Sequence, residues 1–211
     1  MKAIRRLSLV LVVALIAACM SAPDSSTGVT GIVTWNAAPL TGVTVKIMAG
    51  SGRFTDAALA ETMTDPTGKF LLTGVAPGKY TVYAFGPSEE FIAWMGMTVD
   101  VPASGNAAVS PFQFAKKMTI LTPISGDTTV GTRPSLSWNS FPGAEFYHVD
   151  LFLDTEPYTV ILRKDVGLST SFVVPDDLIP GQAYQWGIYA VTKAGGNIAD
   201  SSGNHFAVSK K

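Results

Sequence analysis

The chain holds one cysteine, Cys19, in the stretch Leu15-Ile16-Ala17-Ala18-Cys19-Met20. A structural disulfide needs a second cysteine, and none exists. A nucleophilic thiol needs a base beside it, yet the only two histidines, His148 and His205, come far later in the chain. Those histidines are widely separated and have no cysteine near them, which is a poor zinc pattern. No acidic calcium loop occurs, so no metal site is expected. Two adjacent acid pairs, Glu89-Glu90 and Asp176-Asp177, read as solvated loops. Neighbouring strand residues point to opposite faces, which argues against a glycosidase-type carboxylate pair. No G-x-S-x-G elbow is present. The expectation is a chain with no catalytic residues, no cofactor and no metal; a small hydrolase with an unrecognised site is the remote alternative.

Aromatic side chains are the better candidates for a binding role. In the run Phe146–Leu153, alternation turns Tyr147, Val149 and Leu151 inward and Phe146, His148, Asp150 and Phe152 outward. In Tyr184–Thr192 the same rule turns Trp186, Ile188 and Ala190 inward and Tyr189 outward. Phe146, His148, Phe152 and Tyr189 would then share one surface. Exposed aromatics with a polar tip suit protein partners or sugars. That surface is expected either to pack against another part of the chain or to meet an external partner. A second apolar patch, Phe91-Ile92-Ala93-Trp94-Met95-Gly96-Met97, offers Trp94 as a further contact residue, or else folds onto its own core.

These residues sit in a chain that is 47% hydrophobic and 15% charged, a composition that builds cores. Three of its fifteen basic residues, Lys2, Arg5 and Arg6, lie in the first six positions, and the remainder is acidic on balance. Nucleic acid is not an expected partner, because no basic patch is available to meet phosphates.

The amino terminus reads as a signal peptide. Its basic start is followed by an apolar run, Leu7 to Ala18, too short for the roughly 20 residues of a membrane-spanning helix. The sequence Ile16-Ala17-Ala18-Cys19 resembles the lipobox of bacterial lipoproteins. The resemblance implies cleavage before Cys19 and a covalent diacylglycerol and acyl chain on it. It further implies a cell-envelope location held to the membrane by that anchor. Position 20 is Met rather than Asp, which implies the outer membrane if the organism is Gram-negative. Residues 19–28 read as a small, polar tether reaching roughly 30 Å when extended.

Beyond the tether the period is two. Val43, Val45 and Ile47 alternate with Thr44, Lys46 and Met48, and Tyr80, Val82 and Ala84 with Thr81, Tyr83 and Phe85. Turn residues punctuate these runs, as in Asp65-Pro66-Thr67-Gly68 and Ala76-Pro77-Gly78. Asp56 to Met63 would form at most one or two helical turns. The fold class expected is all-β: two small antiparallel sandwiches, at 29–116 and 117–211, after a signal peptide at 1–18 and a tether at 19–28.

The first module, with P-L-T-G-V-T-V, T-D-P-T-G-K-F and P-G-K-Y-T-V in order, resembles the carboxypeptidase regulatory-like, transthyretin-type family. Phe70 and Tyr80 read as inward anchors on neighbouring strands. The second module resembles a fibronectin type III domain: Trp138 lies on an early strand, and Leu178, Pro180, Gly181 and Tyr184 match that family's tyrosine corner. Further strands are expected at Ser135–Asn139, Thr159–Lys164, Ser171–Val174 and His205–Ser209. Both resemblances imply non-catalytic binding or assembly modules, with an envelope protein or a polysaccharide as partner. The alternative is a carbohydrate-binding protein that uses the outward aromatic surface.

Overall fold

The structure, a computed structural model, describes residues 27–49 and 57–210. Cys19, the signal peptide and the tether up to residue 26 lie outside the described residues. Every regular element described is a strand. In the first half these are β1 (Gly28–Trp35), β2 (Ala38–Pro39), β3 (Thr44–Ala49), β4 (Ala60–Met63), β5 (Lys69–Thr73), β6 (Gly78–Phe85), β7 (Trp94–Val101), β8 (Asn106–Ala108) and β9 (Phe112–Phe114). In the second half they are β10 (Lys116–Lys117), β11 (Ile120–Thr122), β12 (Asp127–Val130), β13 (Ser135–Trp138), β14 (Phe146–Leu153), β15 (Thr159–Asp165), β16 (Ser171–Val173), β17 (Ala183–Val191) and β18 (Asn197–Val208). The described part of Asp56 to Met63 holds a strand in place of helical turns. Its last four residues pair antiparallel with β3.

Two sheets enclose the first core. One runs β4-β3-β6-β7; the other is built on β1, with β2 and β5 antiparallel to it and β8 and β9 parallel. Alternation along β3 drives Val43, Val45 and Ile47 into this core, where all three are fully buried. Met48 and its cross-strand partner Thr81 are buried as well, so this end of the sheet is covered on both faces. Phe70 and Tyr80 both pack on the core, but from opposite sheets (β5 and β6) and not from neighbouring strands. The Asp65 turn is closed by its own side chain, which accepts hydrogen bonds from the Thr67 hydroxyl and the Thr67 and Lys69 amides at 2.7–3.0 Å. These bonds, the Thr67 hydroxyl foremost, hold the Asp65 carboxyl below its ordinary value. Gly68 follows at φ 75°, and a Cβ there would sit 2.6 Å from the Val33 carbonyl, so glycine is required.

A separate core lies between the sheets β11-β13-β16 and β15-β14-β17-β18, the latter extended at its β18 edge by β10 and β12. Trp138, Tyr147, Leu151, Tyr184, Trp186 and Ile188 fill it. Trp138 packs against Tyr147 and Trp186 at centroid distances of 5.7 and 6.3 Å. The Tyr184 hydroxyl accepts the Ile179 amide at 2.9 Å, the hydrogen bond a tyrosine corner makes.

Candidate binding surface

The pairing of β14 with both β15 and β17 brings the outward residues together. His148 stands opposite Asp165 on β15 and Tyr189 on β17, and Phe152 lies further along the same strand. The surface is nevertheless not an open aromatic platform. One ring nitrogen of His148 meets Asp165 Oδ1 at 2.6 Å and the other meets Asp150 Oδ1 at 2.9 Å. Arg163 approaches the same Asp150 oxygen at 3.6 Å and lies over the Phe152 ring at 5.7 Å. Covered in this way, Asp150 is buried, although alternation alone would leave it exposed. Tyr189 stands 6.1 Å from His148 and leans back over Gly187, where a Cβ would lie 3.2 Å from its hydroxyl. Burial, reinforced by the charges of Asp150 and Asp200, pushes the Tyr189 hydroxyl above its ordinary value. Phe146 is half-buried at the end of this surface. Trp94 is elsewhere: it starts β7 in the first module, exposed and edge-on to Tyr83 at 5.5 Å. Its neighbours Ile92, Met95 and Met97 fold onto their own core.

The contact between modules uses other residues: Phe91 and Glu90, which the sequence placed in an apolar patch and a solvated acid pair, and Trp35 and Lys116, to which it gave no contact role. It runs along the outer edge of β18. Lys116 and Lys117 add to that edge as a parallel strand opposite Ala199 and Asp200. The Phe91 segment in turn bridges to Lys116, and the Lys117 amide donates to the Glu90 carbonyl at 2.7 Å. The Lys116 ammonium lies 4.8 Å from the Trp35 ring centre, 5.4 Å from that of Phe91 and 2.8 Å from Glu90 Oε2. That hydrogen bond, and then the charge of Lys116, holds the Glu90 carboxyl below its ordinary value. Trp35 Nε1 donates to the Ile198 carbonyl at 2.7 Å. The register of β17 and β18 shifts beside that residue, between Ala190↔Ala199 and Val191↔Asn197. Ile198 is therefore the extra residue of a bulge, and the indole of the other module satisfies its carbonyl.

Asp200 sits at this junction, and burial pushes its carboxyl above the ordinary value, partly offset by a hydrogen bond from Asn197 Nδ2 at 3.3 Å. A raised folded-state value means that the folded protein binds more protons than the unfolded chain. Stability therefore falls as pH climbs from the ordinary aspartate value through the raised one. Asp200→Asn removes that penalty. Calorimetry should find the variant more stable than wild type at pH 7, with the gap closing near pH 3; an equal gap at both pH values would contradict this.

Among the described residues no group of three His, Cys, Asp or Glu side chains is placed to hold a metal ion. No helix among them is long and apolar enough to cross a membrane.

Residues 28–110 match the family described as BOS complex subunit NOMO1-like, second beta sandwich domain. No curated protein matches the chain. Among solved structures, a DUF3823 family protein from Bacteroides uniformis aligns over 86% of this chain and 96% of its own, at 10% identity and a TM-score of 0.33. A DUF3823 family protein from Bacteroides ovatus aligns over 86% and 98%, at 12% identity and a TM-score of 0.33. The FN1–FN3 domains of chicken CNTN1 align over 81% and 57%, at 16% identity and a TM-score of 0.36. With its sheets, its cores and the match over 28–110 taken together, the chain is an all-β protein of the β-sandwich type.

Proposed function

We propose that this is a non-catalytic cell-envelope lipoprotein, anchored through lipid on Cys19, that presents two joined β-sandwiches for protein binding or assembly at the membrane surface. The observation that carries the presentation role is the junction. A backbone strand, a tryptophan hydrogen bond and a lysine seated on two rings hold the modules to each other. A pair joined in this way offers a partner fixed spacing and orientation, which lowers the ordering cost of binding across both modules. The anchor rests on the Ile16-Ala17-Ala18-Cys19 motif after a short apolar run. An outer-membrane location follows in a Gram-negative host. The carbohydrate reading of the Phe152–Tyr189 surface gains no support from a face already bridged by Asp150, Asp165 and Arg163.

The test is metabolic labelling with an alkynyl fatty acid, followed by fractionation. Wild type should carry label and sediment with membranes. Cys19→Ser should lose both, because an acyl anchor and not the folded part holds the protein there. Equal labelling and sedimentation of the variant would overturn the anchored reading.

A further inference from the structure

A cleft of about 390 Å³ opens where the hairpin after β1 faces the loop before β18. That volume falls within the range of ~300–1,000 Å³ usual for small-ligand sites, which favour domain interfaces. No residue lining it is charged. The first module supplies Thr34, Asn36 and Gln113; the second supplies Thr192, Asn197 and the backbone of Gly195-Gly196. Alternation along β1 sends Trp35 to the junction contact and Thr34 to the other face, toward the cleft, and the turn that follows brings Asn36 to the cleft as well. The Asn36 and Gln113 side chains are exposed. Asn197 donates to Asp200, yet its Oδ1 is buried without a donor. A buried acceptor left unmatched is costly.

The backbone adds an independent sign. Asn36 and Ala37 form a two-residue turn with φ of 47° and 61°. A turn of this kind favours Asn followed by Gly, and Ala37 holds a left-handed conformation against its Cβ. Strain retained at a loop tip beside a cleft accords with a positioning role.

We infer that this cleft binds a neutral saccharide. Sugar hydroxyls both donate and accept, which matches amide and threonine side chains, and a wall without charges offers nothing to an ionic ligand. The site goes beyond the anchored reading and does not depend on it, since every residue lining it belongs to the two β-modules.

The test uses the full-length chain in detergent micelles, with calorimetry and tryptophan fluorescence as readouts. The probes are maltohexaose, laminarihexaose and N-acetylchitohexaose, beside an oligogalacturonate and pentaalanine. At least one neutral hexasaccharide should bind saturably and equally in low and high salt. Asn36→Ala with Gln113→Ala should weaken that binding about tenfold or more, with near-ultraviolet circular dichroism unchanged. Phe152→Ala with Tyr189→Ala, on the outer surface, should leave it intact, as should Cys19→Ser. Binding of no neutral probe, binding of the peptide or the galacturonate alone, or binding indifferent to the Asn36 and Gln113 changes would overturn the proposal.

Discussion

Trp186→Ala is expected to destabilise the second module by about 3–5 kcal/mol, the range for removing a large buried aromatic. Trp186 is fully buried at the middle of β17, packed on Trp138 and directly opposite Leu151 on β14. Its Nε1 also donates to the Pro123 carbonyl at 3.1 Å, tying the central sheet to the chain just after β11. Alanine therefore opens a cavity in a densely filled core and leaves a buried carbonyl without its donor. For a module of this size the loss corresponds to a melting shift on the order of 20 °C. The two cores are separate clusters, so the loss falls on the second module; calorimetry should show that module melting earlier, with the first losing only the stabilisation that the junction supplies. Trp186→Phe keeps most of the volume and loses the hydrogen bond with a smaller part of the packing, so its cost should be well below that of alanine. A shift of less than about 1 kcal/mol for the alanine variant would contradict this account of the core.

The legibility of this fold follows from where local pattern and tertiary contact agree. The period of two along Val43–Ile47 and Phe146–Leu153 reports a sheet with one face on a core, and the burial of Val43, Val45, Ile47, Tyr147, Val149 and Leu151 matches it residue by residue. The tyrosine corner was equally readable, because Tyr184 finds its partner five residues away, at Ile179. Agreement fails at β18. Its sequence, Asn197 to Val208, is rich in Asn, Asp, Ser and Gly, which have little preference for strands. Sequence pattern places a strand only from His205, whereas pairing with β17 extends it eight residues earlier, through two register shifts. The shift between Ala190 and Val191 creates the Ile198 carbonyl, unpaired in the sheet, on which the module junction depends. No local signal announces it, since its donor lies 163 residues away in the chain.

The outward aromatic surface shows the same division. Alternation groups Phe146, His148, Phe152 and Tyr189 on one side of the sheet. It says nothing of what comes across from β15, where Asp165 and Arg163 convert an apolar face into a charge-bridged one. Lys116 and Lys117, read from sequence only as the boundary between modules, form the strand that joins them.

Trp35→Ala is the second large effect expected, and it separates the junction from the cores. The variant loses the Ile198 hydrogen bond, the edge-on contact with Phe91 at 6.1 Å and one of the two rings beneath Lys116. Trp35 is half-buried, so the cost should fall near 3 kcal/mol, the low end for a large aromatic truncation. Its distribution is the informative part. The second module keeps every residue of its own core, and what weakens is the energy by which each module stabilises the other. Coupled modules melt together, whereas uncoupled ones melt according to their own stabilities. Wild type should therefore unfold in one transition or two closely spaced ones, and Trp35→Ala in two clearly resolved ones. Trp35→Phe, which retains a ring for Lys116 and Phe91 but removes the N–H, should cost about 1 kcal/mol and keep the transitions together. A Trp35→Ala protein that melts like wild type would mean that the Lys116–Lys117 strand alone holds the modules, and that the indole is incidental to the fixed geometry on which the proposed role rests.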